Sequence, residues 1–190
     1  MKNTTIPTGF TLIETMVAVS ILTLAIAGPL FTASRAIVAA ETARDQLTAS
    51  YLAQEGIEYV RMMRDNVFLA TYQAGGFNIS NTAWTSFVTG DGSASIASCR
   101  ASTCTLDPAR AMGTGAGLSL QTCSGASCTA LYLSNNIYTQ QQLGTRTPFT
   151  RTIQAVDVSA NDERIVSTVS WSFHGTSYSV SITDHLTPWQ

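Results

Sequence analysis

From Thr15 to Ser34 the chain carries no charged side chain, and the apolar run continues through Ile37 and Val38. Roughly twenty mostly apolar residues at about 1.5 Å of helical rise cover the roughly 30 Å of a bilayer's hydrocarbon core, so this stretch predicts a membrane-length helix. Glu14 stands at the lip of the run, and only the polar leader Met1–Gly9 precedes Phe10. Gly28 and Pro29 interrupt the apolar pattern. Proline removes one backbone donor and crowds the preceding turn, which predicts a kink or a locally melted segment there.

Past the apolar run the pattern changes period without stopping. Ala49, Leu52, Ala53, Gly56, Ile57, Val60, Met63 and Val67 recur at three-and-four spacing, the signature of one helical face that lies on a core. The opposite side carries Glu41 with Arg44, Glu58 with Arg61, and Arg61 with Asp65, each pair placed to meet on a solvated face. The helix is expected to end near Ala70, before Gly75-Gly76. Residues 71–147 are rich in Gly, Ser, Thr, Asn and Ala and show the weakest periodicity.

Residues 148–190 return to strict alternation. Ile165, Ser167, Val169, Trp171 and Phe173 share one parity, as do Tyr178, Val180, Ile182 and Leu186, predicting two half-buried strands joined by His174-Gly175-Thr176-Ser177. Phe149–Val158 supplies a third strand, closed by the turn signal Ser159-Ala160-Asn161-Asp162. The predicted fold is α+β: a long N-terminal helix, half membrane-spanning and half amphipathic, laid on a C-terminal antiparallel meander.

Composition narrows the function. A formal net charge of -2 over 190 residues argues against nucleic acid as a main partner. Four cysteines form two C-x4-C pairs, Cys99 with Cys104 and Cys123 with Cys128, and three disulfide connectivities are open to them. Local pairing would staple two short loops or hairpins. In the second copy, Leu118 and Leu120 before and Leu131 and Leu133 after the turn Ser124–Ser127 alternate like strand residues. Zinc is the rival chemistry, but the spacing is loose for a finger and an exported chain meets an oxidising medium, which favours disulfides over a metal site. His174 and His185 fall in a turn and at a strand end. No nucleophile elbow and no phosphate loop is present, so neither an enzyme nor a cofactor is expected.

The six residues Gly9-Phe10-Thr11-Leu12-Ile13-Glu14, followed by the long apolar helix, resemble the prepilin N-terminus of type IV pilins and type II secretion pseudopilins. The resemblance covers Gly9 to about Val38; beyond that only the order of parts agrees. It implies cleavage after Gly9 by a prepilin peptidase, N-methylation of Phe10, and a role for Glu14 in neutralising the N-terminal amine of a neighbouring subunit, which sets axial register. The organisation is then a leader at 1–9, a transmembrane and assembly helix at 10–38, an amphipathic helix at 39–70, a variable disulfide-containing region at 71–147 and a sheet at 148–190. Implied partners are other pilin or pseudopilin subunits, the peptidase, the inner-membrane assembly platform and membrane lipid. The implied location is the bacterial inner membrane with the N-terminus cytoplasmic, and after assembly a periplasmic or surface filament. Two rivals stand beside this: a membrane-anchored adhesin that does not polymerise, and a secreted protein cut after the A-x-A pattern Ala25-Ile26-Ala27.

Overall fold

The structure, a computed structural model, describes residue 9 and residues 11–90, 94–115 and 117–188. The chain divides into two compact units, Met1–Arg44 and Asp45–Gln190. Helix α1, Leu12–Ala74, contributes to both. It runs past Ala70 and stops at Gly75, whose φ of 72° lies in the left-handed region that glycine enters without a Cβ penalty.

In the second unit, α1 is followed by α2, Ile79–Thr89, and α3, Ala97–Ala101. Then come β1, Thr103–Leu106; β2, Leu120–Cys123; β3, Tyr132–Ser134; β4, Ile137–Thr139; β5, Thr145–Arg146; β6, Thr150–Ser159; β7, Asp162–Phe173; and β8, Thr176–Leu186. The main sheet is antiparallel with order β2-β1-β6-β7-β8, and a small second sheet has order β4-β3-β5. An α+β chain with a long apolar N-terminal helix and a C-terminal antiparallel sheet is thus what the pattern predicts and what forms. The β7–β8 turn is tighter than the four residues expected. Phe173 pairs with Thr176, and His174 and Gly175 both take positive φ, 48° and 80°, as a two-residue type I′ hairpin requires.

The three-and-four stripe of α1 faces the sheet. Ala49, Leu52, Ala53, Gly56, Ile57, Val60 and Met63 are buried, together with Tyr59. Ile57, Val60 and Met63 join Ile153, Ala155 and Ile165 of the sheet and Trp84 and Phe87 of α2 in one core cluster. Ala49, Leu52 and Ala53 meet Phe149, Val169, Trp171 and Leu131 in another. Along β7, Glu163, Ile165, Ser167, Val169 and Trp171 are buried at alternate positions, as a strand with one covered face demands. One of the predicted surface contacts changes. Arg61 keeps Glu58, but its second guanidinium nitrogen reaches Asp184 on β8 at 2.7 Å, and Asp65 meets Arg64 instead.

Beneath the helix lies a charge that alternation alone places inside. Arg151 on β6 is fully buried; it donates to the carbonyls of Leu52 and Leu106, each at 3.1 Å, and to the Glu55 carboxylate. Burial pulls its pKa below the ordinary arginine value, against the opposing pull of Glu55 and Asp107.

The predicted Leu118–Leu133 hairpin does not form. β2 pairs with β1, placing Leu120 opposite Leu106, and both are fully buried; β3 pairs instead with β4 and β5. Leu131 is buried in the second cluster while Leu133 is exposed, so the four leucines do not share one sheet face. Between the strands, Gly125–Ser127 forms a short 3-10 turn closed by the Cys123–Cys128 disulfide. Cys99–Cys104 ties α3 to β1 within the core. The pairing is local in both C-x4-C copies, and no cysteine is left for zinc.

Two predictions follow from this packing. A Cβ on Gly56 would meet the Ser167 hydroxyl and come within 2.8 Å of the Ile153 Cδ1, so Gly56→Ala is expected to lower stability by about 1–3 kcal/mol in urea titration despite alanine's better helix propensity. Glu163 is buried beside Arg100, with Asp157 and Asp162 nearby. Desolvation raises its pKa above the ordinary carboxyl value, and Asp157 and Asp162 add to this while Arg100 opposes it. The folded chain therefore holds this proton to higher pH than the unfolded chain. Glu163's stabilising contribution is complete below the unfolded pKa and is lost as pH rises through the folded value. Thermal melts of Glu163→Gln should lack that part of the pH dependence.

Candidate functional site on the N-terminal helix

The amide of Glu14 donates to the Thr11 carbonyl at 3.1 Å and to the Thr11 hydroxyl at 3.4 Å, and the amide of Thr15 donates to the same carbonyl at 3.2 Å. Thr11 therefore caps α1 and Glu14 occupies its first turn, where the helix dipole favours an anion by about 0.3–1 kcal/mol. Thr-x-x-Glu is a capping-box spacing. It was legible in the residues, and the reading of Glu14 as an assembly residue passed over it.

Beyond Glu14 the helix is apolar on every side. Leu12, Ile13, Met16, Val17, Val19, Ile21, Leu22, Leu24, Ile26, Leu30, Phe31 and Ile37 are all more than half exposed in the single chain. α1 contains the one stretch among the described residues that is long and apolar enough to cross a membrane, with a mean hydropathy of 2.0 and none of it buried. The hydroxyls within it are already spoken for. Thr15 donates to Leu12 O, Ser20 to Met16 O, Thr23 to Ser20 O, Thr32 to Pro29 O and Ser34 to Phe31 O, at 2.8–2.9 Å. Bonded back onto their own helix, they present little unsatisfied polarity to a hydrocarbon medium. Past the apolar end, the Arg35 guanidinium lies 5.1 Å from the centre of the Phe31 ring.

Of the kink or locally melted segment expected at Gly28 and Pro29, the helix shows no melting: both residues lie within the continuous α1, where proline removes one rung of the ladder. Nothing lies within 4 Å of a Cβ built on Gly28, so no contact within the chain calls for a glycine there. Gly9 is exposed and precedes the helix. Phe10, the residue expected to become the methylated N-terminus, lies outside the described residues, as do leader residues 1–8. The four cysteines are held far along the sequence, in the second unit, and take no part in this helix.

No protein-family model matches the chain, and neither a curated protein nor a solved structure does.

What the helix can do follows from its surface. An apolar cylinder with satisfied hydroxyls and one carboxylate at its head is long and apolar enough to cross a bilayer. Lysine at mid-span costs about 2.5–3.5 kcal/mol on insertion scales, so Leu24→Lys is expected to shift the chain from the membrane pellet toward the soluble or alkali-extractable fraction, whereas Leu24→Ile should leave it in place.

Proposed function

We propose that this chain is a pilin-like structural subunit, a minor pilin or pseudopilin of a type IV pilus or type II secretion filament. In this reading a prepilin peptidase cuts between Gly9 and Phe10 and methylates Phe10. The subunit waits in the inner membrane with its N-terminus cytoplasmic and its domain outside, then leaves the membrane on the assembly platform to pack with other subunits. The observation that carries the reading is the exposed apolar helix from Leu12 to Val38 with Glu14 as its only charge before Arg35, continuous with a helical half that lies on an antiparallel sheet.

Glu14 supplies the physical logic. A carboxylate carried into an apolar helix bundle costs on the order of 2.5–3.5 kcal/mol unless it finds a partner. Cleavage after Gly9 creates one, the α-amino group of Phe10. Pairing Glu14 of one subunit with that amine on the next would neutralise both charges and fix the axial step between helices. Close packing between the apolar helices then favours association without direction, and the charge pair sets the register.

Intact mass and N-terminal peptide analysis of membrane-fraction protein, with and without co-expressed prepilin peptidase, tests the reading. A methylated chain beginning at Phe10 only when the peptidase is present is the expected result; a chain beginning at Gly28 would replace it with an ordinary secreted protein. Glu14→Val should insert normally yet enter filaments at least ~10-fold less well, a change worth about 1.4 kcal/mol. Unimpaired surface binding by a variant that forms no filament would favour a membrane-anchored adhesin.

A further inference from the structure

α2 buries one side and leaves the other uniformly polar. Ala83, Trp84, Phe87 and Val88 are in the core, and Trp84 Nε1 donates to the Ala160 carbonyl at 2.8 Å. The outward side, Asn78, Asn81, Thr82, Thr85 and Ser86, lines an open groove of about 400 Å³ that contains only amides and hydroxyls and no charge. The groove begins at an asparagine with unusual geometry. Asn78 is exposed, adopts a left-handed conformation (φ 55°, ψ 44°) and, although it sits at the helix N-cap, makes no side-chain capping hydrogen bond. Its carboxamide is free of the task that asparagine usually performs at that position. Beside it Phe77 is 97% exposed, an aromatic side chain that the fold does not use.

These features share one explanation. Asn78-Ile79-Ser80 is an Asn-x-Ser acceptor pattern with a non-proline middle residue. We propose that Asn78 is an N-glycosylation site, with its first sugars lying along the α2 groove and over Phe77. The amides and hydroxyls of Asn81, Thr82, Thr85 and Ser86 are the groups that hydrogen-bond sugar hydroxyls, and the Phe77 ring offers an apolar face to the C–H side of a sugar ring. The donor is a glycan activated as a polyprenyl diphosphate. The Asn78 carboxamide nitrogen attacks the anomeric carbon, the bond from that carbon to the diphosphate oxygen breaks, and a new C–N bond forms. The amide gives up one proton, and the polyprenyl diphosphate leaves. Ser80 lies in the first turn of α2 and is half-buried in the folded domain, so transfer occurs as the chain emerges and before α2 folds onto the core. The other Asn-x-Thr pattern, Asn3-Thr4-Thr5, falls in the leader.

The proposal rests on the part of the functional reading that exports the second unit across a membrane, and does not depend on polymerisation. Intact mass and peptide mapping of the full chain purified from the cell that produces it is the test. The expected result is a hexose- or hexosamine-containing adduct on the peptide that holds Asn78. Peptide N-glycosidase should release it and leave aspartate at that position. Asn78→Gln and Ser80→Ala should each reduce the adduct to background, and Ser80→Thr, which keeps the acceptor hydroxyl, should restore it. Thermal melts of the variants show that the domain still folds. A bare Asn78, an adduct that persists in Ser80→Ala, or one that maps to a serine or threonine instead would overturn the proposal. The same spectra separate this failure from that of the export reading, because formed disulfides add about 4 Da on reduction, about two hydrogens each. Bare Asn78 with both bridges formed removes the glycan alone. Bare Asn78 with reduced cysteines removes export as well.

Discussion

The second unit depends on how closely α1 can approach the sheet, and Gly56 sets that distance. At this one turn, the helix backbone lies over the Ser167 side chain and the Ile153 methyl with no room for a Cβ. Small residues at Ala49 and Ala53 continue the close seam toward the N-terminal end of this half, while Leu52, Ile57 and Met63 fill the space to either side. The two core clusters are therefore one packing arrangement divided along the helix. Arg151 crosses beneath it, bonding the Leu52 carbonyl on the helix and the Leu106 carbonyl on β1. A buried arginine contributes little net stability once its desolvation is counted, but its two carbonyls and Glu55 can all be reached in only one placement of helix on sheet. Close packing sets the distance, and the guanidinium sets the register.

The same helix obeys two different rules along its length. After Asp45 it has an inner face and an outer face, because a sheet is there to receive one of them. Before Arg35 it has only an outer face, and that face is apolar all round. A helix of this kind is not stable as a lone solvated object, since it exposes what folding normally hides. Some other apolar surface has to complete it, and lipid and a bundle of like helices are two media that match its character. A helix moved from one to the other would exchange one apolar environment for another, so the net change would be governed by packing and by Glu14 rather than by hydrophobic burial.

Legibility in the residues followed periodicity. The α1 stripe from Ala49 to Met63 and the inward parity of β7 were readable because one covered face repeats at 3.6 or at 2. The same parity, carried along Arg151, Ile153 and Ala155, would have placed an arginine inside, but charge argued otherwise and only its carbonyl partners made the placement acceptable. Ile79, Ala83, Trp84, Phe87 and Val88 carry helical spacing too, and α2 was lost among the serines and threonines that also favour loops. The misplaced hairpin at Leu118–Leu133 shows the opposite failure: leucines alternated, but the partner strand of β2 was β1, which comes before it, and single-strand periodicity does not name a partner. Arg61 meeting Asp184 rather than Asp65 is the same limit at the scale of one side chain. For the candidate site, Glu14 at the head of the helix was legible, the capping role of Thr11 was present but unused, and Pro29 did not melt the helix because a long helix tolerates one missing rung.

The middle of the chain answers its weak periodicity with covalent bonds. β1 and β2 are four residues each, and the recorded register between β1 and β6 is the single pair Cys104 with Ile153. Besides that pair, β1 is held to the long β6–β7–β8 meander by the buried side chains of Cys104 and Leu106 and by Arg151 at the Leu106 carbonyl. The Cys99–Cys104 bond anchors the same cysteine to α3, and Cys123–Cys128 turns the chain back at the C-terminal end of β2; Thr103 pairs with Cys123, so both bridges sit at one end of this short pair, while Leu106 opposite Leu120 closes the other end by burial. Loops this small give at most about 2 kcal/mol each in the chain-entropy account, which is modest for a whole domain but large for two four-residue strands. The α1 seam and the meander thus carry no disulfide, while the β1–β2 edge adds two bridges, which form in an oxidising compartment, to its buried side chains.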